Sequence, residues 1–530
     1  MPRLNIDDIE VTVPEGTTIL EAAKSAGIRI PHLCYQRSLK IVATCRLCLV
    51  EVERTPKLQT ACSTVVRDGM VVRTASPRVQ KARRAVLEFL LINHPLDCPV
   101  CDQAGECDLQ DYVFEYGAAE SRYGEEKRRY PRQDIGPRIV RDMNRCVHCT
   151  RCVRFCRDVV GSEEYGVFER GARTTVGTYV DRALEHNYQG SLVELCPVGA
   201  LTSRDFRFRS RVWRLVSTAS ICPGCSRGCN IFIDSREGTI YRFRARRNDE
   251  VNGEWLCDEG RMSYHRVNDA DRILTPVQMV DGLEKKVDWE EALSVIGDAL
   301  RKILSDHGPS AVGGIGSSSC TNEENYLVAT FIRETLRSKN IDFIPAGRGE
   351  GYSDTILIRA DKSPNSRGAE DMGCGASAGE LGVKEMLAAA RKGKLKALLV
   401  MGQDLVGRLS EQGGVKEALE KLDLLVVHDS NRNQTTALAD VILPKATFAE
   451  MDGTFTNFEG RVQRIRPAFR PENVWGGCQM VAALARTLGY AFDYSSPEDV
   501  FNEIARTRKA YRGLDYEKIG DGGLLVQSEE

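Results

Sequence analysis

The sequence has no apolar run of the roughly 18 residues needed to cross a bilayer, so no spanning helix is expected. It opens MPRLNIDDIEV, with no apolar h-region, no twin-arginine signal and no cleavage site. An excess of charge of one sign is also missing: 73 Lys and Arg face 75 Asp and Glu, for a formal net charge of −2. That balance excludes a generally basic nucleic-acid binder and an acidic disordered protein. There is no fixed-period repeat or low-complexity tract. Gly313-Gly314-Ile315-Gly316 does not satisfy G-x-G-x-x-G, and it reads as a tight turn rather than a dinucleotide site.

What is abundant is cysteine. There are 19 in 530 residues, and sixteen fall between Cys34 and Cys257. Disulfide scaffolds are mostly small and secreted, whereas this chain is long enough for about three to four domains and reads as cytosolic. In a reducing compartment, clustered cysteine points to metal.

Four ligand groups follow. Cys34, Cys45, Cys48 and Cys62 are spaced C-x10-C-x2-C-x13-C. The set suits a 2Fe–2S cluster, although its first gap is longer than in the plant-type C-x4-C-x2-C run, and a structural zinc site also takes four Cys. His94, Cys98, Cys101 and Cys107 place one imidazole before three thiols, with Pro95 fixing the direction of His94. That set fits zinc or a cluster of altered potential.

Cys146, Cys149, Cys152 and Cys156 form the bacterial ferredoxin run C-x2-C-x2-C-x3-C, with Cys196-Pro197 beyond it. No second such run lies near Cys196, so one 4Fe–4S cluster is assigned to Cys146, Cys149, Cys152 and Cys196. Cys156 becomes a buried spare; the rival assignment exchanges Cys156 and Cys196. Cys222, Cys225, Cys229 and Cys257 make a three-plus-one pattern that fits another 4Fe–4S cluster better than a zinc ribbon. Cys320, Cys374 and Cys478 are left as packing residues. Arg145, Arg151, Arg154 and Arg157 interleave with the third group, and Arg242, Arg244, Arg246 and Arg247 precede Cys257. Cations there would raise cluster potentials.

The local patterns supply a framework. Residues 1–76 read as a small, mostly β domain whose short helix is capped by Thr17 or Thr18. Ser76-Pro77 opens a helix with Val79, Ala82, Val86 and Leu90 on one face and basic residues on the other. Residues 94–115 read as irregular and 117–137 as a surface connection. Asp288-Trp289-Glu290-Glu291 resembles a capping box. Runs such as Lys396–Val400 and Leu424–Val427 read as buried parallel strands.

In this order the groups resemble one family. PHLCYQRSLKIVATCRLCLVEV, NHPLDCPVCDQAGECDLQD, RCVHCTRCVRFC, VELCPVGALT and CPGCSRGCNIF…WLCDEGR are similar to the large iron–sulfur subunit, the G subunit, of bacterial NADH:quinone oxidoreductase, respiratory complex I. ALADVILPKATFAEMDGTFTNFEGRVQR resembles the molybdopterin oxidoreductase fold.

The resemblance implies a multidomain α/β and α+β chain. A β-grasp 2Fe–2S ferredoxin would occupy 1–76, and a 4Fe–4S segment with one His and three Cys ligands 77–116. A ferredoxin-like 4Fe–4S domain would span 138–212, and a 4Fe–4S domain of molybdopterin-oxidoreductase type 213–270. A truncated α/β domain of the same type would fill 271–510. The remaining 511–530 is expected to be a disordered tail on composition, since Gly520–Glu530 is Gly-rich and acidic. It implies one 2Fe–2S and three 4Fe–4S clusters, no molybdenum and no catalytic side chain. The expected partners are a flavoprotein NADH-oxidising subunit and quinone-proximal iron–sulfur subunits, with peripheral attachment at the cytoplasmic membrane face. The competing readings are the same module in a soluble NAD-linked formate dehydrogenase or hydrogenase, and a zinc-stapled scaffold without redox function.

Overall fold

A computed structural model describes residues 1–131, 133–179, 182–345 and 352–527. The chain divides into two compact units, Met1–Leu215 and Val216–Glu530.

The first unit begins with a five-stranded sheet in the order Ile9–Thr12, Arg3–Ile6, Met70–Arg73, Leu49–Val52, Gln59–Thr60. Its first hairpin turns at Asp7-Asp8, both with positive φ (47° and 68°), where short polar side chains tolerate left-handed backbone. The Asp7 carboxylate then accepts from the Thr74 amide at 2.7 Å, tying the hairpin to the segment that follows Met70–Arg73. The helix Ile19–Ser25 is capped by Thr18 and buries Ile19, Leu20, Ala22 and Ala23 against Ile6, Val50 and Val72.

The next helix, Pro77–Leu91, starts where Ser76-Pro77 indicates. Val79, Arg83 and Leu87 are its buried residues, and Val86 and Leu90 of the expected face pack half-buried beside them. Arg83 turns inward among them, its guanidinium lying 5.1 Å from the Tyr116 ring centroid. Residues 94–115 are not wholly irregular. Asp108–Tyr116 is a helix, held by buried Leu109 and Tyr112 three residues apart. The 117–137 connection is partly tied down: Lys127 Nζ donates to the Leu91 and Ile92 carbonyls (2.6 and 3.0 Å), capping the helix before His94.

The second unit opens with the antiparallel meander Val216–Ile221, Asn230–Arg236, Thr239–Ala245. A seven-stranded sheet follows, ordered Leu283–Lys286, Val277–Val280, Val441–Pro444, Leu424–Asp429, Ala397–Met401, Val312–Ser317, Ile341–Ile344. Its last five strands are parallel. Leu399, Met401, Leu424 and Val426 enter one core while Leu398, Val400, Leu425 and Val427 enter another. Both faces are covered, which explains the continuous apolar runs. The helix Trp289–His307 is capped by Asp288, which accepts from the Glu291 amide at 2.8 Å.

Two expectations fail here. Gly313, Gly314 and Gly316 lie inside the buried strand Val312–Ser317, not in a turn. A Cβ on Gly314 would sit 2.6 Å from Ile332 Cγ1, and one on Gly316 2.7 Å from Cys374 Sγ, so these glycines let neighbours approach the sheet closely. The tail is not disordered over its described residues 511–527. Tyr511, Tyr516 and Ile519 are buried, and Tyr516–Ile519 is a short helix. Leu524–Leu525 pairs with Arg461 and Val462. Gly-rich, acidic composition concealed two aromatic anchors: Tyr516 Oη donates to Glu323 (3.0 Å) and Tyr511 Oη to Asp371 (2.9 Å). Residues 528–530 of that expectation lie outside the described ones.

Candidate metal centres

In the first group all four thiols are buried. The loop bends sharply around Cys45, with Ala43 and Arg46 at φ 51° and 58°. The Leu33 amide donates to Cys45 Sγ at 3.5 Å. Hydrogen bonds from Cys45 and Cys62 hold the Cys34 thiol below its ordinary range, while the Cys62 thiol, which donates to Cys34 and Cys48, is pushed up. The four sulfurs therefore form one connected set.

In the second group Cys101 and Cys107 are buried and Cys98 is exposed. His94 Nδ1 is a buried atom with no hydrogen-bond partner. Burial, reinforced by Arg145 and Lys127, lowers the imidazole pKa to about 4. His94 is thus neutral at physiological pH, the form that binds metal, and an orphaned ring nitrogen is what a missing metal bond leaves behind. Burial lifts the Cys107 thiol to about 11. A Cβ on Gly199 would lie 2.3 Å from Cys101 Sγ, so only glycine leaves that sulfur its place.

In the third group Cys146, Cys149, Cys152 and Cys196 line one cavity, walled mainly by Met143, Val147, Tyr165, Val176, Val198 and Leu201. Cys156 is not part of that lining; it is buried and its Sγ meets His186 Nε2 at 3.6 Å. His148 and Thr150 flank Cys149 with φ of 51° and 56°, and the His148 amide donates to Cys146 Sγ at 3.4 Å. Burial, then the charge of Cys149, raises the Cys146 and Cys196 thiols to about 12. Thiolates at such positions need a bound cation to exist at neutral pH.

The fourth group is held by the turn in which the Cys222 amide donates to the Cys229 carbonyl (2.8 Å). Cys257 caps the helix Asp258–Met262, its Sγ accepting from the Gly260 amide at 3.3 Å, and the Gly224 amide donates to Cys222 Sγ at 3.4 Å. A Cβ on Gly260 would stand 2.7 Å from Cys222 Sγ. The tail reaches this loop: the Asp521 carbonyl accepts from Asn230 (3.1 Å) and Arg246 (2.8 Å), and the Gly522 carbonyl from Asn248 (2.9 Å).

Sulfur-rich, neutral or amide-solvated donor sets of this kind fit iron–sulfur clusters. Among the described residues no three His, Cys, Asp or Glu side chains are arranged to grip a single metal ion. The glycines that keep sulfurs uncrowded were not singled out in the sequence. The signal was available in CPVGA, CPGC and CDEGR, where each follows a cysteine motif. Two of the four arginines before Cys257 are held by one buried carboxylate. Arg242 and Arg244 are spent on the buried Asp234 carboxylate at 2.8 and 2.7 Å.

Family models agree with these segments. Residues 2–77 match a 2Fe-2S iron-sulfur cluster binding domain and 83–122 the NADH-ubiquinone oxidoreductase-G iron-sulfur binding region. Residues 136–202 match the NADH-quinone oxidoreductase subunit 3 ferredoxin-like domain. Residues 215–269 match the molybdopterin oxidoreductase Fe4S4 domain, and 272–355 with 360–473 the molybdopterin oxidoreductase model. Fold and donor sets thus define an iron–sulfur protein with 2Fe–2S and 4Fe–4S binding domains.

Among its relatives is the second NADH-quinone oxidoreductase G subunit of Rhizobium meliloti, 30% identical over 724 residues covering 100% of this chain and 84% of the relative. The NADH-quinone oxidoreductase G subunit of Rickettsia felis is 40% identical over 370 residues, covering 68% of this chain and 54% of the relative. The NADH-ubiquinone oxidoreductase 75 kDa subunit of Reclinomonas americana is 43% identical over 317 residues, 60% of this chain and 45% of the relative. The chain belongs to the family of NADH-quinone oxidoreductase G subunits. It spans about half the length of the Rickettsia felis and Reclinomonas americana relatives.

Proposed function

We propose that the chain is the iron–sulfur electron-relay subunit of an NADH:quinone oxidoreductase, carrying electrons from an NADH- and flavin-binding partner toward quinone-proximal iron–sulfur subunits. Cys34, Cys45, Cys48 and Cys62 would hold a 2Fe–2S cluster. Three 4Fe–4S clusters would be held by His94, Cys98, Cys101 and Cys107; by Cys146, Cys149, Cys152 and Cys196; and by Cys222, Cys225, Cys229 and Cys257. When bound, such clusters supply one-electron storage at a potential set by their surroundings.

The chain's own contribution is placement and environment. The first and fourth thiol sets are buried away from water, amide N–H groups at His148, Gly224 and Gly260 point at sulfurs, and glycines keep the cradles open. No general acid, base or nucleophile is required. The single observation that carries this reading is the cavity joining buried Cys149 with half-buried Cys146, Cys152 and Cys196, whose desolvated thiols become thiolates only against a bound cation.

The pterin-type domain is read as structural, without molybdenum. Cys320 and Cys374 are both buried. The crevice at the carboxyl ends of the parallel strands, between Ser319, Gly402, Asp404 and Lys445, is lined by no cysteine. Among the described residues no helix is long and apolar enough to cross a membrane. Attachment at the cytoplasmic face would come through partner subunits.

Metal and sulfide analysis of the purified protein tests this: about 14 iron atoms per chain are expected if each cluster has the assigned type. Stoichiometric zinc in a colourless protein, or molybdenum near one per chain, would overturn it.

A further inference from the structure

Arg154 occupies an unusual place. It is 2% exposed, on the short helix Arg151–Phe155 that follows Cys149. Its Nη2 donates to the carbonyl of Cys34 at 2.6 Å and to that of Cys149 at 3.1 Å, and its Nη1 donates to the Lys40 carbonyl at 2.6 Å. One guanidinium thus binds the backbone of a first-group ligand and of a third-group ligand at once, and also the loop that leads from Cys34 to Cys45.

The remaining acceptors of Arg154 are the Thr150 carbonyl and hydroxyl, both at 3.3 Å. Among the described residues no carboxylate pairs with it. Its neighbours differ in this respect: Arg145 pairs with Asp97 at 2.9 Å and Arg157 with Asp158 at 2.9 Å. A buried charge is retained only where something compensates it. Five neutral oxygens do so partly. The nearby ionisable groups of opposite sign are thiols: Cys149, Cys34 and Cys152 all act electrostatically on Arg154. Cys34 and Cys149 also lie close enough to act on each other.

We propose that Arg154 is a positioning residue for electron exchange between the first and third clusters. It fixes the distance between the two cradles and supplies a positive charge with no carboxylate partner between them, raising both potentials. This rests on the cluster assignment proposed above. In the step concerned one electron leaves one cluster and enters the other, with no bond or proton changed. A cation shared by both sites favours the reduced form of each and offsets the repulsion between two anionic groups.

The test is a redox titration followed by electron paramagnetic resonance, on the assembled complex carrying Arg154→Gln, Arg154→Lys or Arg157→Gln. Arg154→Gln should make both clusters roughly tenfold harder to reduce, 59 mV for one electron. Arg154→Lys should restore most of that shift, and Arg157→Gln should leave both potentials in place. Unchanged potentials in Arg154→Gln, or equal shifts in Arg154→Gln and Arg154→Lys, would overturn the proposal. If Arg154→Gln loses iron, Arg154→Lys decides: wild-type potentials support the role of the charge, and displaced ones overturn it. Absence of both cluster signals from the unsubstituted protein would instead sink the cluster assignment.

Discussion

Around Cys146–Cys196, buried Arg154 directs its guanidinium hydrogen bonds to backbone carbonyls and a threonine hydroxyl, and Arg151 donates to the Leu195 carbonyl and lies 3.8 Å from the half-exposed Asp108 carboxylate. Around Cys222–Cys257, Arg242 and Arg244 converge instead on the Asp234 carboxylate, which is 1% exposed. Two donor sets of four thiols thus sit in different fields. At the third site Arg151 and Arg154 both act on Cys149; at the fourth Arg227 acts on Cys229, while the Glu259 carboxylate opposes a thiolate at Cys222 and Cys257. The comparison shows that counting arginines near a motif says little about local potential until their partners are known. It predicts a fourth cluster harder to reduce than the third.

The largest effect that can break this comparison comes from the ligands. Cys152→Ser should remove about four iron atoms and one 4Fe–4S signal, while Cys156→Ser should keep both, because Cys156 lies outside the cavity lining. Loss of the signal in Cys156→Ser would redraw the third site.

Next is Gly260→Val at the fourth site. A Cβ there would stand 2.7 Å from Cys222 Sγ, so iron should fall by about four atoms with the third-site signal intact. Equal loss at both sites would show general misfolding rather than a crowded cradle.

Asp234→Asn sharpens the electrostatic half. Breaking the pair should cost about 2–3 kcal/mol, reduced from the fully buried range because Arg242 and Arg244 are partly solvated. Denaturant unfolding of the second unit's transition checks this. The freed guanidinium charge should also move the fourth potential upward, toward the third.

The smallest effect is the pH dependence of that pair. Burial alone raises the Asp234 pKa, but Arg244 and Arg242 outweigh it and hold the carboxyl below 3.8. A depressed folded pKa means that its stabilisation is complete above the unfolded pKa and lost as pH falls through the folded one. The stability gap between wild type and Asp234→Asn should therefore stay constant from about pH 8 to 5 and narrow only below about pH 4. Hydrogen exchange along Asn230–Arg236 reads it. A gap that closes near neutrality would assign the contribution to another group.

The grouping of the thiols was legible in sequence because spacing is local chemistry: C-x2-C-x2-C brings three thiols onto one loop, and the structure gathers Cys146, Cys149 and Cys152 with Cys196 around one cavity. The separation of Cys156 from Cys196 was accessible too, through the lack of a second run. What escaped was tertiary. Arg83 breaks the helix pattern because it has the Tyr116 ring to lie over, a partner 33 positions away in the chain. Gly313, Gly314 and Gly316 resemble a turn until the side chains of Ile332 and Cys374 are seen pressing on the strand. Tyr511 and Tyr516 anchor a tail whose composition suggests solvent, and their acceptors Asp371 and Glu323 lie far upstream.

That tail also bears on the order in which the molecule is made. The carbonyl of Asp521 is bound by Asn230, 291 positions earlier in the chain, beside the fourth donor loop. During synthesis the first unit emerges complete long before this, since domains fold in the order in which they leave the ribosome. Its three cysteine groups can fold on a growing chain, whereas the fourth loop stays unlatched until Asp521 and Gly522 arrive. The hydrogen bonding of the fourth loop is therefore completed only once residue 522 has been made.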